Sequence, residues 1–196
     1  MNAEACTLET PLASFLVRHR VRFMQISVIT VASLLLVREY RPGELSAYDQ
    51  ARIGGIALIL AGLSMRSWAA AVLQKCHSLA TSGPYSMCRH PLYVGSTLML
   101  VGFCVLIGDV LTAAVLLSTW CITYPATVAR EEALLMRLFP ADWGPYAAAT
   151  PRVFPPRLPE GLGNISLARW VQNREYQAVV ASFIGMAAVE VWRRIG

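Results

Sequence analysis

Four apolar stretches of membrane length dominate this chain, at 21–37, 53–73, 92–108 and 110–129. Between them they hold two charges, Arg22 at the edge of the first and Arg66 in the middle of the second. An α-helix needs roughly 20 residues to cross a hydrocarbon core, and each stretch comes close to that. One such stretch can hide in a soluble protein as a core helix, but four in a chain of 196 residues cannot easily be hidden from water. Backbone amides in lipid must be satisfied within the chain, so these segments should be helices. Charged residues make up only 15% of the chain, where a soluble domain carries about 25%. The expected fold is therefore all-α, a polytopic integral membrane bundle with four transmembrane helices in a single domain, 1–196. The first twenty residues contain acids and a proline and no continuous apolar core, so 21–37 reads as a retained first span rather than a cleaved leader.

The connections sharpen this picture. Arg41-Pro42-Gly43 breaks the chain after the first span, and Gly108-Asp109 is the whole link between the third and fourth, which demands a tight antiparallel hairpin. Gly95 and Gly102, seven residues apart, share a helix face and let a neighbouring helix approach closely. The pattern of Leu134, Leu135 and Leu138 continues the fourth helix past the membrane until Pro140 stops it. A proline-rich stretch, 151–159, leads into a tail helix at about 166–192. Its apolar part, 177–189, is short for a span, leaving a short fifth crossing or an interfacial helix open, with packing against the other helices favoured.

The net charge of +5 does not point to nucleic acid, because the basic residues are sorted by loop. Arg18, Arg20 and Arg22 precede the first span; Lys75 and Arg89 lie between the second and third; Arg130, Arg137, Arg152, Arg157, Arg169 and Arg174 follow the fourth. Placing the N-terminus in the cytoplasm puts all of these on that face, against Arg38, Arg41 and Arg52 opposite, as the positive-inside rule requires. Cysteines 6, 76, 88, 104 and 121 form no CxxC pair and no zinc-like spacing with histidine, so neither a metal nor a disulfide framework is indicated.

Two clusters carry the chemistry, and both fall on the cytoplasmic edge of one hairpin. The first is 83–95, GPYSMCRHPLYVG. Pro91 fits the first turn of a helix, and His90 before it should be extended. The free amides of that turn, the positive helix end and Arg89 make a place for a carboxylate or phosphate. Tyr85 and Tyr93 offer ring faces for a base or a sulfonium cation; the blander reading is an arginine on lipid phosphates and a histidine closing a helix. The second cluster is Arg130-Glu131-Glu132. Helical geometry turns the two acids about 100° apart, so only one points into the bundle, and an acid at a helix C-terminal end needs a cationic partner. Tyr124, seven residues before Glu131, extends the same wall into the membrane. Arg66, mid-span, is either a substrate-binding group or the structural partner of an acid.

At these residues the chain resembles the isoprenylcysteine carboxyl methyltransferase family and the related phospholipid N-methyltransferases. The likeness runs over about 79–157: GPYSMCRHPLYVG, a short helical hairpin, Glu131-Glu132-x-x-Leu135, then FPADWGPYAAATPRVFP. It implies an all-helical membrane fold of a bacterial inner membrane, with S-adenosylmethionine in a cytoplasm-facing pocket and an acceptor entering from the lipid. Carried over, Tyr85, Arg89, His90, Pro91, Leu92, Tyr93, Glu131 and Glu132 line the cofactor site. From their own positions in the chain, Arg66, Tyr124 and Arg130 are the residues expected to meet the substrate, with Arg130 and Glu131 expected to act in catalysis. The implied activity is methyl transfer to an amphiphilic, lipid-like acceptor, an isoprenylcysteine-like carboxylate first, a phospholipid amine or small thiol otherwise. An NADPH-dependent sterol or enone reductase and a membrane scaffold without chemistry are the competing readings.

Overall fold

The computed structural model describes residues 45–74, 78–153 and 158–195; the first expected span, 21–37, lies outside them. All regular structure among the described residues is helical: α1 Leu45–Val72, α2 Pro84–Met87, α3 Pro91–Ile107, α4 Val110–Leu138, α5 Pro140–Ala149, α6 Leu167–Gln172 and α7 Glu175–Ile195. Two stretches within them, Gln50–Val72 and Val110–Leu138, are long and apolar enough to cross a membrane, while Pro91–Ile107 is apolar but shorter.

The centre of the fold is the antiparallel pair α1 and α3, its most extensive interface. Two glycines on each helix make it. A Cβ on Gly62 would lie 2.4 Å from the carbonyl oxygen of Gly95, and one on Gly102 would lie 2.7 Å from that of Gly55. Gly55 and Gly62 are themselves seven apart, so the two helices meet glycine to glycine at two successive levels. Backbone-to-backbone contact of this kind replaces the hydrophobic drive that helices lack in lipid.

The α3–α4 hairpin follows from its two-residue link. Gly108 closes α3 in the left-handed conformation, φ 71°, and Asp109 caps α4 by accepting from the Thr112 amide at 2.7 Å. α4 then runs unbroken to Leu138, as the leucine pattern predicts, and Pro140 opens α5 directly afterwards.

The tail forms two helices rather than one. Arg174 at φ 57° turns the chain between α6 and α7, and α7 packs back on α1 and α3. Its first residue, Glu175, pairs with Arg66, and Glu190 pairs with Arg52 at 3.3 Å. α7 is therefore antiparallel to α1 over about 21 Å, at 1.5 Å per residue from Arg52 to Arg66.

Candidate functional site

The N-terminus of α3 and the far end of α4 meet because the hairpin is tight and α4 overshoots it. Gly83, at φ 61°, and Pro84 start the short α2, which aims Tyr85 inwards. Cys88 is extended, whereas His90, expected to be extended before proline, instead takes φ −127° and ψ 58°, which turns its carbonyl to accept from the Tyr93 and Val94 amides at 3.0 and 3.1 Å as Pro91 begins α3. The loop is fastened on its outer side by the region after α5. The Arg89 amide donates to Pro151 O at 2.9 Å, and the Tyr146 hydroxyl donates to Tyr85 O at 2.8 Å.

Glu132 is the hub of the site. It is buried at 8% exposure and receives Arg89 Nη1 at 2.9 Å on Oε1. His90 Nε2 stands 3.3 Å from the same oxygen. Arg152 reaches it with Nη2 at 2.7 Å from Oε2 and with Nε at 3.1 Å from both oxygens. A carboxylate in this position is tolerated because two guanidinium groups satisfy it. Glu131 is turned away, its side chain 43% exposed and 3.9 Å from His90 Nδ1. Of the two adjacent acids only one enters the bundle, as helical rotation dictates.

Aromatic rings continue the wall into the apolar layer. Tyr93 packs edge-on to both His90 and Tyr124, at 5.8 and 5.2 Å between centroids, and Tyr124 stacks on Trp120 at 5.4 Å. Three polar atoms here, Tyr85 Oη, Arg89 Nε and Tyr124 Oη, are buried with no hydrogen-bond partner among the described residues. Burial, then the charge of Glu131, holds the Tyr85 phenol far above its ordinary range, so it offers a neutral hydroxyl. Burial likewise raises the Cys88 thiol to about 11, which keeps it protonated and unreactive near neutral pH.

The remaining sequence candidates fall elsewhere. Pro91 and Leu92 form the first turn of α3, with Leu92 packed on the cluster of Ala69, Val72 and Tyr85. Arg66 is on the α1 side of α3, where Nε and Nη2 clasp Glu175 at 2.8 and 3.0 Å and Nη1 bonds Ser96 Oγ. Arg130 is exposed, two residues and about 200° round the helix from Glu132. The second cationic group at the hub, beside Arg89, is instead Arg152, which the sequence shows only as the arginine of the TPRVFP stretch.

Residues 51–142 match the phospholipid methyltransferase family. The nickel-cobalt-cadmium resistance protein NccN of Alcaligenes xylosoxydans xylosoxydans is 34% identical over 96% of this chain and 84% of its own length. The cobalt-zinc-cadmium resistance protein CzcN of Cupriavidus metallidurans is 35% identical over 76% of this chain and 69% of its own length. No solved structure matches the chain.

Proposed function

The chain belongs to the phospholipid methyltransferase family, and from that premise we propose that it is an S-adenosylmethionine-dependent membrane methyltransferase acting on an amphiphilic acceptor. The observation that carries this reading is the set of three buried polar atoms without a partner among the described residues, Tyr85 Oη, Arg89 Nε and Tyr124 Oη, beside the rings of Tyr93 and Tyr124. Buried polar groups are rarely left without partners. A ligand with an anionic end, a hydroxyl-bearing middle and a cationic centre fits them. Arg89 uses Nη1 on Glu132 and leaves Nε for the ligand's carboxylate. The tyrosine rings offer electron-rich faces to a cation.

S-adenosylmethionine, when bound, supplies a methyl group activated on a sulfonium. The protein's share is alignment and exclusion of water. Glu132 fixes Arg89 and His90 in one geometry. Trp120 and Tyr124 carry the wall along α4 towards the lipid, where a substrate with an apolar tail enters sideways and presents its head near His90.

An isoprenylcysteine-like carboxylate head needs a free cation, and Arg66 is committed to Glu175, which leaves the exposed Arg130. An amine or thiol head needs a base instead. Glu131, half exposed beside His90, favours this second class of acceptor. NccN and CzcN are named for metal resistance; for this chain we propose methyl transfer in the same setting, on an envelope lipid or amphiphile.

Calorimetry on detergent-purified protein with S-adenosylhomocysteine and NADPH side by side tests the cofactor. The expected result is binding of the first alone, weakened in Arg89→Ala by about 1.5–3 kcal/mol, the scale of a charge-assisted hydrogen bond. Binding of NADPH alone, or an Arg89→Ala variant of unchanged affinity, overturns the assignment. Labelled methyl transfer to prenylcysteines, phosphatidylethanolamine and small thiols then identifies the head group.

A further inference from the structure

Residues 160–175 lie beyond the stretch that matches the family, yet they close the end of α1 and touch the cofactor loop at once. The final carbonyls of a helix have no partner inside it. In α1 the tail supplies them. The Ser166 amide donates to Ala71 O at 3.0 Å and Arg169 Nη1 to Val72 O at 3.0 Å; Asn173 Nδ2 donates to Ala70 O at 2.8 Å and Leu73 O at 3.1 Å. Trp68, one turn back, donates its indole N–H to Leu162 O at 2.8 Å. The segment ends at Glu175, 3% exposed, clasped by Arg66.

Its other edge lies on the loop. The Glu160 amide donates to Ser86 Oγ at 2.9 Å, and the Ser86 hydroxyl donates to Gly83 O at 2.7 Å. At Gly83 a Cβ would stand 2.7 Å from Leu162 O, and at Gly163 one would stand 3.3 Å from Gly83 Cα. The loop and the tail therefore pass each other with no room for a side chain between them. The loop's opposite edge is held by Pro151 and Tyr146, so the tail completes a clamp around Tyr85 and Arg89.

We propose that 160–175 is a positioning strap for the cofactor loop, and that Ser86 is the positioning residue through which it acts. In this proposal Ser86 acts through the loop backbone rather than on the cofactor or the acceptor. It bonds the strap to the turn at Gly83, one residue from Tyr85 and three from Arg89. The proposal rests on the reading that this loop holds the cofactor's methionyl end.

The experiment uses the full chain in detergent, as wild type, Ser86→Ala and Ser86→Thr. Calorimetry with S-adenosylhomocysteine should show about a fivefold loss of affinity in Ser86→Ala, the effect of one neutral hydrogen bond, and recovery in Ser86→Thr. The cofactor KM should rise with kcat at saturation unchanged, the mark of lost binding rather than lost chemistry. Amide exchange should quicken at 83–89 and stay constant in α3. Wild-type affinity in Ser86→Ala, or a failure of Ser86→Thr to restore it, overturns the strap. If the wild type binds no S-adenosylhomocysteine, the cofactor reading fails on its own. Loop exchange then decides the strap, with unchanged protection in Ser86→Ala counting against it.

Discussion

At the scale of single residues, Glu132 is where the site is most sensitive. Replacing it by Ala leaves Arg89, at 15% side-chain exposure, without its counter-charge, and removal of one member of a buried ion pair costs about 3 kcal/mol or more. Glu131→Ala, at a half-exposed position, should change the melting temperature little; thermal unfolding of both variants in the same detergent checks the contrast. Cys88 makes a separate prediction about pH. Its thiol is raised from its ordinary value near 9 to about 11 in the folded protein by burial. Between those values the unfolded chain sheds the proton that the native state keeps, so stability falls as pH rises from about 9 to 11 and is untouched below. At about 1.4 kcal/mol per pH unit the loss approaches 3 kcal/mol, and Cys88→Ala should flatten that part of the stability curve relative to wild type. Arg89, His90 and the paired acids were legible in the sequence because a proline and a helix end give them fixed stereochemistry. Arg152 was not, because it follows Glu132 by twenty residues across a change of helix, and only the fold shows that the two meet. Arg66 had two readings in the sequence, and the buried Glu175 opposite it accounts for the structural one.

Among the elements, α1 and α3 depend most on what is missing between them. Gly95 and Gly102 announced a close approach by their spacing, and the partners, Gly55 and Gly62, carry the same spacing. The signal was present on both helices, but nothing in one helix alone says which neighbour its glycines face. Gly62→Ala sets a methyl group 2.4 Å from the Gly95 oxygen, and Gly95→Ala sets one 2.6 Å from the Gly62 oxygen. Neither neighbour is a flexible side-chain tip that can move aside, so both variants should unfold at clearly lower temperature. Gly54→Ala, with nothing within 4 Å, is the internal control. It should be neutral or stabilising by up to about 1 kcal/mol through helix propensity. Equal melting temperatures for Gly54→Ala and Gly62→Ala would remove the glycine contact from the account of this interface. The tail was less legible. Its helical character and its packing on the bundle follow from apolar content, whereas the break at Arg174 has neither glycine nor proline to mark it. It is forced by Asn173 capping α1 on one side and Glu175 reaching Arg66 on the other.

For the whole molecule, the pairing of α7 with α1 sets where the chain ends. Arg66–Glu175 lies towards the end of α1 that carries the site, and Arg52–Glu190 lies towards the other end. The C-terminal Arg193 and Arg194 therefore stand at the opposite end of the α1–α7 pair from Arg66 and Glu175. Hydropathy alone left this open, since the apolar part of the tail is shorter than a span and is framed by charges. The charges are accommodated in pairs: Glu175 within Arg66, and Glu190 among Arg52, Arg193 at 3.5 Å and Arg194 at 3.1 Å. Counting Arg193 and Arg194 with Arg38, Arg41 and Arg52 changes the expected sorting of basic residues to five against eleven, and the positive-inside rule then still predicts a cytoplasmic site. A reporter fused after Gly196 should accordingly behave as external: alkaline phosphatase active, a fluorescent protein dark. The same reporters inserted after Pro159, on the site's side, should give the reverse. A C-terminal fusion that is fluorescent would rule out a crossing by α7 and would contradict its antiparallel pairing along a membrane-spanning α1, which holds Glu175 on Arg66.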